Sequence, residues 1–233
     1  MTAAAEREPL VLLPGMGCSP RLWAGVRAAL PTHETLVEEI DDPDLDACVA
    51  TLLGTLPDRF ALAGLSLGGI VAMALVRSAP ERVTRLCLMD TNARPPTDAQ
   101  RTAWDQQIAT LSAGGSAAEL QSGLLEVLLG PAADEDAATE TLLMAEEVGA
   151  ERYVRQLRLQ GTRRDERPGL VEVRVPTLVV AGSDDALCGL DRHQEIHDLV
   201  PGSRLEVLPD TGHLSPLERP AQIATILEEW LDS

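Results

Sequence analysis

The chain has 233 residues, 45% hydrophobic and 24% charged, with only 2% aromatic. That length suits one domain with room for an inserted subdomain, and a core built from aliphatic side chains. Acids outnumber basic residues 37 to 19, giving a net charge of −18, and every basic residue is arginine; this balance argues against nucleic acid or an anionic membrane as partner.

In chain order, PLVLLPG over 9–15 is a buried-strand pattern stopped by Pro14 and Gly15. A helical pattern covers 20–29, followed by a half-buried strand over 34–40 and a helix over 44–56. The third strand, RFALAGL over 59–65, runs directly into a helix over 67–78, and the fourth strand is TRLCLMD over 84–90. From about 94 to 167 no strand pattern occurs. Instead 98–111, 116–129, 134–148 and 150–160 predict helices separated by Gly, Pro or Ser. Alternation then resumes with a strand over 176–182, a helix over 190–199, a strand over 203–209 and a helix over 216–231.

Strands alternating with helices predict an α/β fold: a mostly parallel sheet of about six strands with helices on both faces. The helical block divides the chain into a first core part over 1–93, an insertion over 94–168 and a second core part over 169–233. Ligands in open α/β sheets bind beyond the carboxyl ends of the strands. An all-helical insertion leaving such an end is expected to lie over that site as a lid.

No apolar run reaches membrane-spanning length. The N-terminal segment has no charged stretch ahead of an apolar one, so it does not resemble a signal peptide. Cys18, Cys48, Cys87 and Cys188 form no C-x-x-C pair, so neither a zinc site nor a disulfide framework is expected. A cytoplasmic protein with reduced thiols is the expectation.

The stretch Gly64-Leu65-Ser66-Leu67-Gly68 matches G-x-S-x-G. The pattern is common by chance, but here it joins a strand to a helix, the context of a nucleophile elbow. The two glycines then answer a close approach of backbones on either side of the serine. A serine hydroxyl needs a base. Of the four histidines, His33, His193 and His197 sit in polar, surface-like contexts, whereas His213 lies in a glycine-containing loop after the last strand. A carboxylate must orient that base. Asp184 and Asp185 follow the fifth strand, and Asp90 ends the fourth as a competitor. Two backbone N–H groups must face the developing oxyanion. Leu67, directly after the nucleophile, and Met16, in the loop between Gly15 and Gly17, are the natural donors. The GMG run at 15–17 lacks the third glycine of a dinucleotide fingerprint, since position 20 is Pro20.

Taken together, LVLLPGMGCSPRLW, LAGLSLGGIVAMALVRSAPERVTRLCLMDTNAR, RPGLVEVRVPTLVVAGSDDAL and PDTGHLSPLERP resemble the α/β-hydrolase superfamily. The likeness is to lidded carboxylesterases such as pimeloyl-[acyl-carrier protein] methyl ester esterases, and to enol-lactonases. The resemblance implies a serine nucleophile at Ser66, a base at His213 and an acid at Asp185, the third residue after Gly182. It implies oxyanion donors at Met16 and Leu67, and no metal or organic cofactor. Pro14-Gly15 stands where many relatives have His-Gly, and the usual antiparallel strands at the start of the sheet are missing.

The implied activity is cleavage of a small ester, lactone or thioester through an acyl-enzyme, with an acyl-carrier protein as a possible partner. Lyase, cyclase or C–C hydrolase chemistry with the same triad is an alternative, as is a non-catalytic small-molecule-binding protein on the same fold. Arg152, Arg155, Arg158, Arg163, Arg164 and Arg167 crowd the end of the insertion. They form either a solvated, ion-paired face or a docking site for an anionic substrate handle.

Overall fold

The computed structural model describes residues 8–233; the first seven residues, on which part of the signal-peptide reading falls, lie outside them. Six strands form one sheet in the order β2-β1-β3-β4-β5-β6. They are β1 (Leu10–Leu13), β2 (Thr35–Val37), β3 (Phe60–Leu65), β4 (Val83–Met89), β5 (Thr177–Gly182) and β6 (Arg204–Leu208). Every neighbouring pair is parallel. The expected sheet of about six strands is thus present, and the chain belongs to the α/β class.

The inner strands β1, β3 and β5 are buried along their whole length, as parallel strands covered on both faces must be. Alternation sorts their side chains. Val11, Leu13 and Leu62 face a core shared with α2 (Leu45–Thr55), α3 (Leu67–Ser78) and α9 (Leu190–Leu199). Leu10, Leu12, Ala61, Ala63 and Leu65 face the other core, with α1 (Ala24–Ala29) and α11 (Pro220–Asp232). Trp23, Phe60 and Trp230 are the large aromatic side chains in these layers, all buried. The four cysteines are buried and free. No helix among the described residues is long and apolar enough to cross a membrane.

The predicted helix over 20–29 divides into a 3-10 turn (Pro20–Trp23) and α1. The one over 216–231 divides into α10 (Ser215–Glu218) and α11 at Arg219, whose backbone leaves the helical region (φ −135°, ψ 51°) ahead of Pro220. A residue before proline is disfavoured in the α conformation.

Between β4 and β5 the chain is helical: α4 (Asp98–Ser112), α5 (Ala117–Ser122), α6 (Leu125–Leu128), α7 (Glu135–Thr162) and the unanticipated α8 (Arg167–Leu170). The helices predicted over 134–148 and 150–160 are two arms of α7, bent at Gly149, which takes φ 68° and ψ 168°. Leu111, Ala117, Ala145, Val148, Tyr153 and Leu157 give this segment its own small core. It is fastened to the sheet body by Arg21–Glu140 at 2.8 Å and by the Ser19 hydroxyl donating to Glu147 at 2.5 Å.

The fold brings two strand ends together. The chain visits β2 on one side of β1 and then crosses to β3 on the other, so the order reverses between β1 and β3. Leu13 at the end of β1 pairs with Gly64 near the end of β3. The crevice at such a reversal is where α/β sheets hold ligands.

Candidate active site

Ser66 caps the N-terminus of α3 with φ 52° and ψ −111°, a conformation an L-residue adopts only when its surroundings enforce it. Its N–H donates to the Met89 carbonyl at 2.9 Å, and its carbonyl accepts the Thr91 hydroxyl at 2.8 Å. The flanking glycines are sterically required. A Cβ on Gly64 would lie 2.3 Å from the Gly68 carbonyl oxygen, and one on Gly68 would lie 2.3 Å from that of Leu13. The sequence motif therefore reports real backbone contact.

Asp185 and His213 meet as their loops descend from β5 and β6. The His213 Nδ1–H donates to Asp185 Oδ2 at 2.8 Å, and both residues are buried. Asp185 Oδ1 accepts the N–H groups of Leu187 and Cys188 at 2.9 and 2.8 Å. Burial raises the Asp185 pKa, but the bonds and charge of His213 and these backbone donors outweigh it, and the carboxyl sits below its ordinary value. Burial likewise opposes charging His213, yet the hydrogen bond and charge of Asp185 carry it above the ordinary imidazole value. With Nδ1 committed to Asp185, Nε2 is the nitrogen available to a substrate or nucleophile. Asp184, the neighbour, is exposed and bonds to Ser183.

The loop after β1 is held from the helical segment. The Gly17 N–H donates to Gln156 Oε1 at 2.9 Å, while Gln156 Nε2 donates to the Ile40 carbonyl at 3.2 Å. Gly17 takes φ 71°. Met16 thereby lines the cavity beside Ser66, and Leu67 opens α3, where a helix leaves its first N–H groups without intrahelical partners. The histidine loop is tied as well: the His213 N–H donates to the Leu128 carbonyl at 2.8 Å. Glu218 accepts from Gly212 N–H at 3.1 Å and from Gly130 N–H at 2.9 Å. Glu218 and Gln156 hold these loops in place, and the sequence pattern did not reveal them, because Gln156 meets Gly17, and Glu218 meets Gly130, from far along the chain.

His193 corrects one expectation. It is fully buried, not a surface residue. Its Nε2 accepts the Thr91 N–H at 3.1 Å and its Nδ1 faces the Gly189 carbonyl at 3.2 Å, the pattern of a neutral ring. Burial accordingly lowers its pKa. Asp90 lies beside it, fully buried at φ 44°. Asp90 accepts from the Gly182 N–H at 2.8 Å and from the Ser215 hydroxyl. Burial and then the charge of Asp185 push its pKa up to about 7. Asp90 thus braces β5 and α10, whereas Asp185 bonds the histidine.

Two clusters, Asp185/Cys188/His213 and Asp90/Asp185/His193, bring potential metal-ligand atoms within 4.8 Å of one another. Their carboxylate oxygens and ring nitrogens are largely engaged in the bonds above. Burial also pushes the Cys188 thiol up to about 12.

Ser66 and His213 line one cavity of about 190 Å³, to which the helical segment contributes Gln100, Trp104, Gln107, Tyr153 and Arg163. Most of the arginine cluster lies elsewhere, in ion pairs. Arg152 pairs with Glu39 and Asp41, Arg155 with Asp41, Arg164 with Asp46, and Arg167 with Asp165. Arg158 is exposed.

The profile of the alpha/beta hydrolase family matches residues 10–226, and the chain belongs to that family. Within it, the chain is 31% identical over 248 residues to a pimeloyl-[acyl-carrier protein] methyl ester esterase of Aromatoleum aromaticum, an alignment spanning 96% of this chain and 98% of that protein. Among solved structures it is similar to a thermophilic esterase from Thermogutta terrifontis, with a TM-score of 0.87 and 23% identity over 97% of this chain and 89% of that one. It is similar also to an enol-lactonase from Burkholderia xenovorans LB400, with a TM-score of 0.84 and 21% identity over 97% and 92%. At those identities the structural likenesses carry the fold alone.

Proposed function

We propose that the protein is a serine hydrolase that cleaves a small carboxylic ester, lactone or thioester through an acyl-enzyme. The observation that carries this reading is Ser66, strained at the tip of β3, lining one cavity with a histidine whose far nitrogen is fixed by Asp185. The relatives' esterase and lactonase names agree with it.

In the proposed cycle Ser66 Oγ bonds to the substrate carbonyl carbon while His213 Nε2 takes its proton. The carbonyl oxygen becomes an oxyanion held by the Met16 and Leu67 N–H groups, aided by the N-terminal end of the α3 dipole. Collapse expels the alkoxide or thiolate, which leaves with the proton from His213. Water then attacks the acyl-Ser66 carbonyl, giving its proton to His213; the acid departs and Ser66 is regenerated. Asp185 keeps His213 in the useful tautomer and stabilises the imidazolium. The segment 94–168 serves as the lid between the core parts 1–93 and 169–233, and its inner residues select the substrate.

The test is a hydrolysis screen over 4-nitrophenyl esters of increasing acyl length, lactones and methyl esters, with Ser66→Ala as the blank. Mass spectrometry after a serine-directed phosphonate should place the label on Ser66. Turnover that survives in a folded Ser66→Ala protein, or a label on another residue, overturns the assignment.

A further inference from the structure

Arg163 differs from the rest of the arginine cluster. It is 6% exposed and lines the cavity that holds Ser66 and His213. Its Nη1 donates to Gln160 Oε1 at 2.7 Å and its Nη2 to Gln100 Oε1 at 3.1 Å. Its guanidinium carbon lies 5.3 Å from the centre of the Trp104 ring. Its Nε is buried without a hydrogen-bond partner. Among the described residues no carboxylate ion-pairs with it, although the chain carries 37 acids and most arginines near it have found one.

A buried charge with only neutral amide oxygens around it is costly, because partial dipoles replace the hydration of a full charge incompletely. Burial lowers the Arg163 pKa to about 10, so the group is still a cation at neutral pH. The same wall holds a second unmet group: Gln107 lines the cavity, and its Oε1 is buried with no donor. Of the unpartnered buried polar atoms among the described residues, these two belong to residues that line the cavity holding Ser66, where a ligand can reach their wall.

We propose that Arg163 anchors an anionic group of the substrate, so that the preferred esters or lactones carry a carboxylate remote from the carbonyl attacked by Ser66. The planar guanidinium suits a carboxylate because it offers parallel N–H donors. Its place over the Trp104 ring adds a cation–π contact that holds the guanidinium on this wall. In a chain of net charge −18, a cation on the cavity wall without a carboxylate partner is a local attraction for an acid. The inference rests on Ser66 being the acyl acceptor.

The experiment compares mono-4-nitrophenyl esters of six- to nine-carbon dicarboxylic acids with their neutral twins, in which the free acid is a methyl ester. The quantity read is the ratio of kcat/KM for acid over neutral twin. The parent should favour the acid by about tenfold or more at its best chain length, the order of one charge-assisted bond of about 1.5 kcal/mol. Arg163→Met should bring the ratio near one, and Arg163→Lys should retain part of it. Should the methionine variant fail to fold, competitive inhibition of the parent by free dicarboxylates against diols of equal length decides, with the dicarboxylates expected to bind more tightly. A parent ratio near one, or equal loss of both substrates in Arg163→Met, overturns the anchor. Absence of Ser66-dependent turnover on either twin would instead strike at the serine hydrolase reading, so the two failures are distinct.

Discussion

The two walls of the cavity are built on opposite terms. The wall made by the strand ends is satisfied from within: Asp185 has His213 and two backbone donors, Asp90 has Gly182 and Ser215, and His193 has Thr91 and Gly189. The wall made by the helices carries groups still lacking partners, Arg163 Nε and Gln107 Oε1. A fixed hydrogen-bond network holds reacting groups in place before substrate arrives, as catalysis requires. Unmet polar groups on the opposite wall leave recognition to the ligand. On the proposed reading chemistry belongs to the sheet and selection to the insertion, and each half of that proposal can be broken separately.

Ser66→Ala should break the sheet side most completely. Without the nucleophile only binding and oxyanion donation remain, so kcat should fall roughly 10⁴-fold or more. Steady-state hydrolysis with thermal melting as a fold control reads this; survival of more than a hundredth of the activity refutes the role. Next in size is Asp185→Asn. An amide at this position no longer fixes the Nδ1–H tautomer, and kcat should drop roughly 10²–10⁴-fold. Asp184→Asn, on an exposed residue, is the matched control and should do far less.

A smaller effect sharpens the electrostatics. His213 acts as a base only when neutral, and Asp185 holds its pKa above the ordinary imidazole value. Activity should therefore be absent at low pH and rise through an apparent pKa above about 6.5. In Asp185→Asn the residual activity should rise at lower pH than in the parent, because the charge that favours the imidazolium is gone. A pH–kcat/KM profile measures both limbs. An unmoved limb would mean that another group is the base.

What the sequence made legible follows physical range. The six strands and the long core helices were readable because burial on two faces or one writes a local period into the chain. The elbow was readable because Gly64 answers the backbone of Gly68 four residues on, although the contact Gly68 answers lies across the sheet at Leu13; Gly149 marked a bend for a different local reason, its positive φ. His193 was misjudged: its neighbours Asp191, Arg192 and Gln194 are polar, and nothing local shows that this one side chain turns inward to Thr91. The roles of Gln156 and Glu218 and the burial of Arg163 against Gln100 depend on partners across the fold. The choice between Asp90 and Asp185 was likewise open from the residues alone, since both end buried strands and only the approach of the histidine loop separates them.

That choice supplies the smallest prediction. Asp90 accepts an N–H from Gly182 and a hydroxyl proton from Ser215. Asparagine can keep both contacts, accepting from Gly182 with its oxygen and donating to Ser215 with its nitrogen. Asp90→Asn should therefore change kcat by less than about tenfold, or ~1.4 kcal/mol in the barrier. Its effect on stability should depend on pH. The parent carboxyl titrates near ~3.9 in the unfolded chain and about 7 in the fold, where burial and then the charge of Asp185 disfavour ionisation. Between those values the folded state holds a proton that the unfolded state has released, so the parent loses stability as pH rises across the window. Asparagine carries no such proton. Its melting temperature relative to the parent should accordingly increase from pH 4 to pH 8. A differential that stays flat would show that Asp90 ionises as readily in the fold as outside it. A loss of activity as large as that of Asp185→Asn would move the acid from β5 to β4.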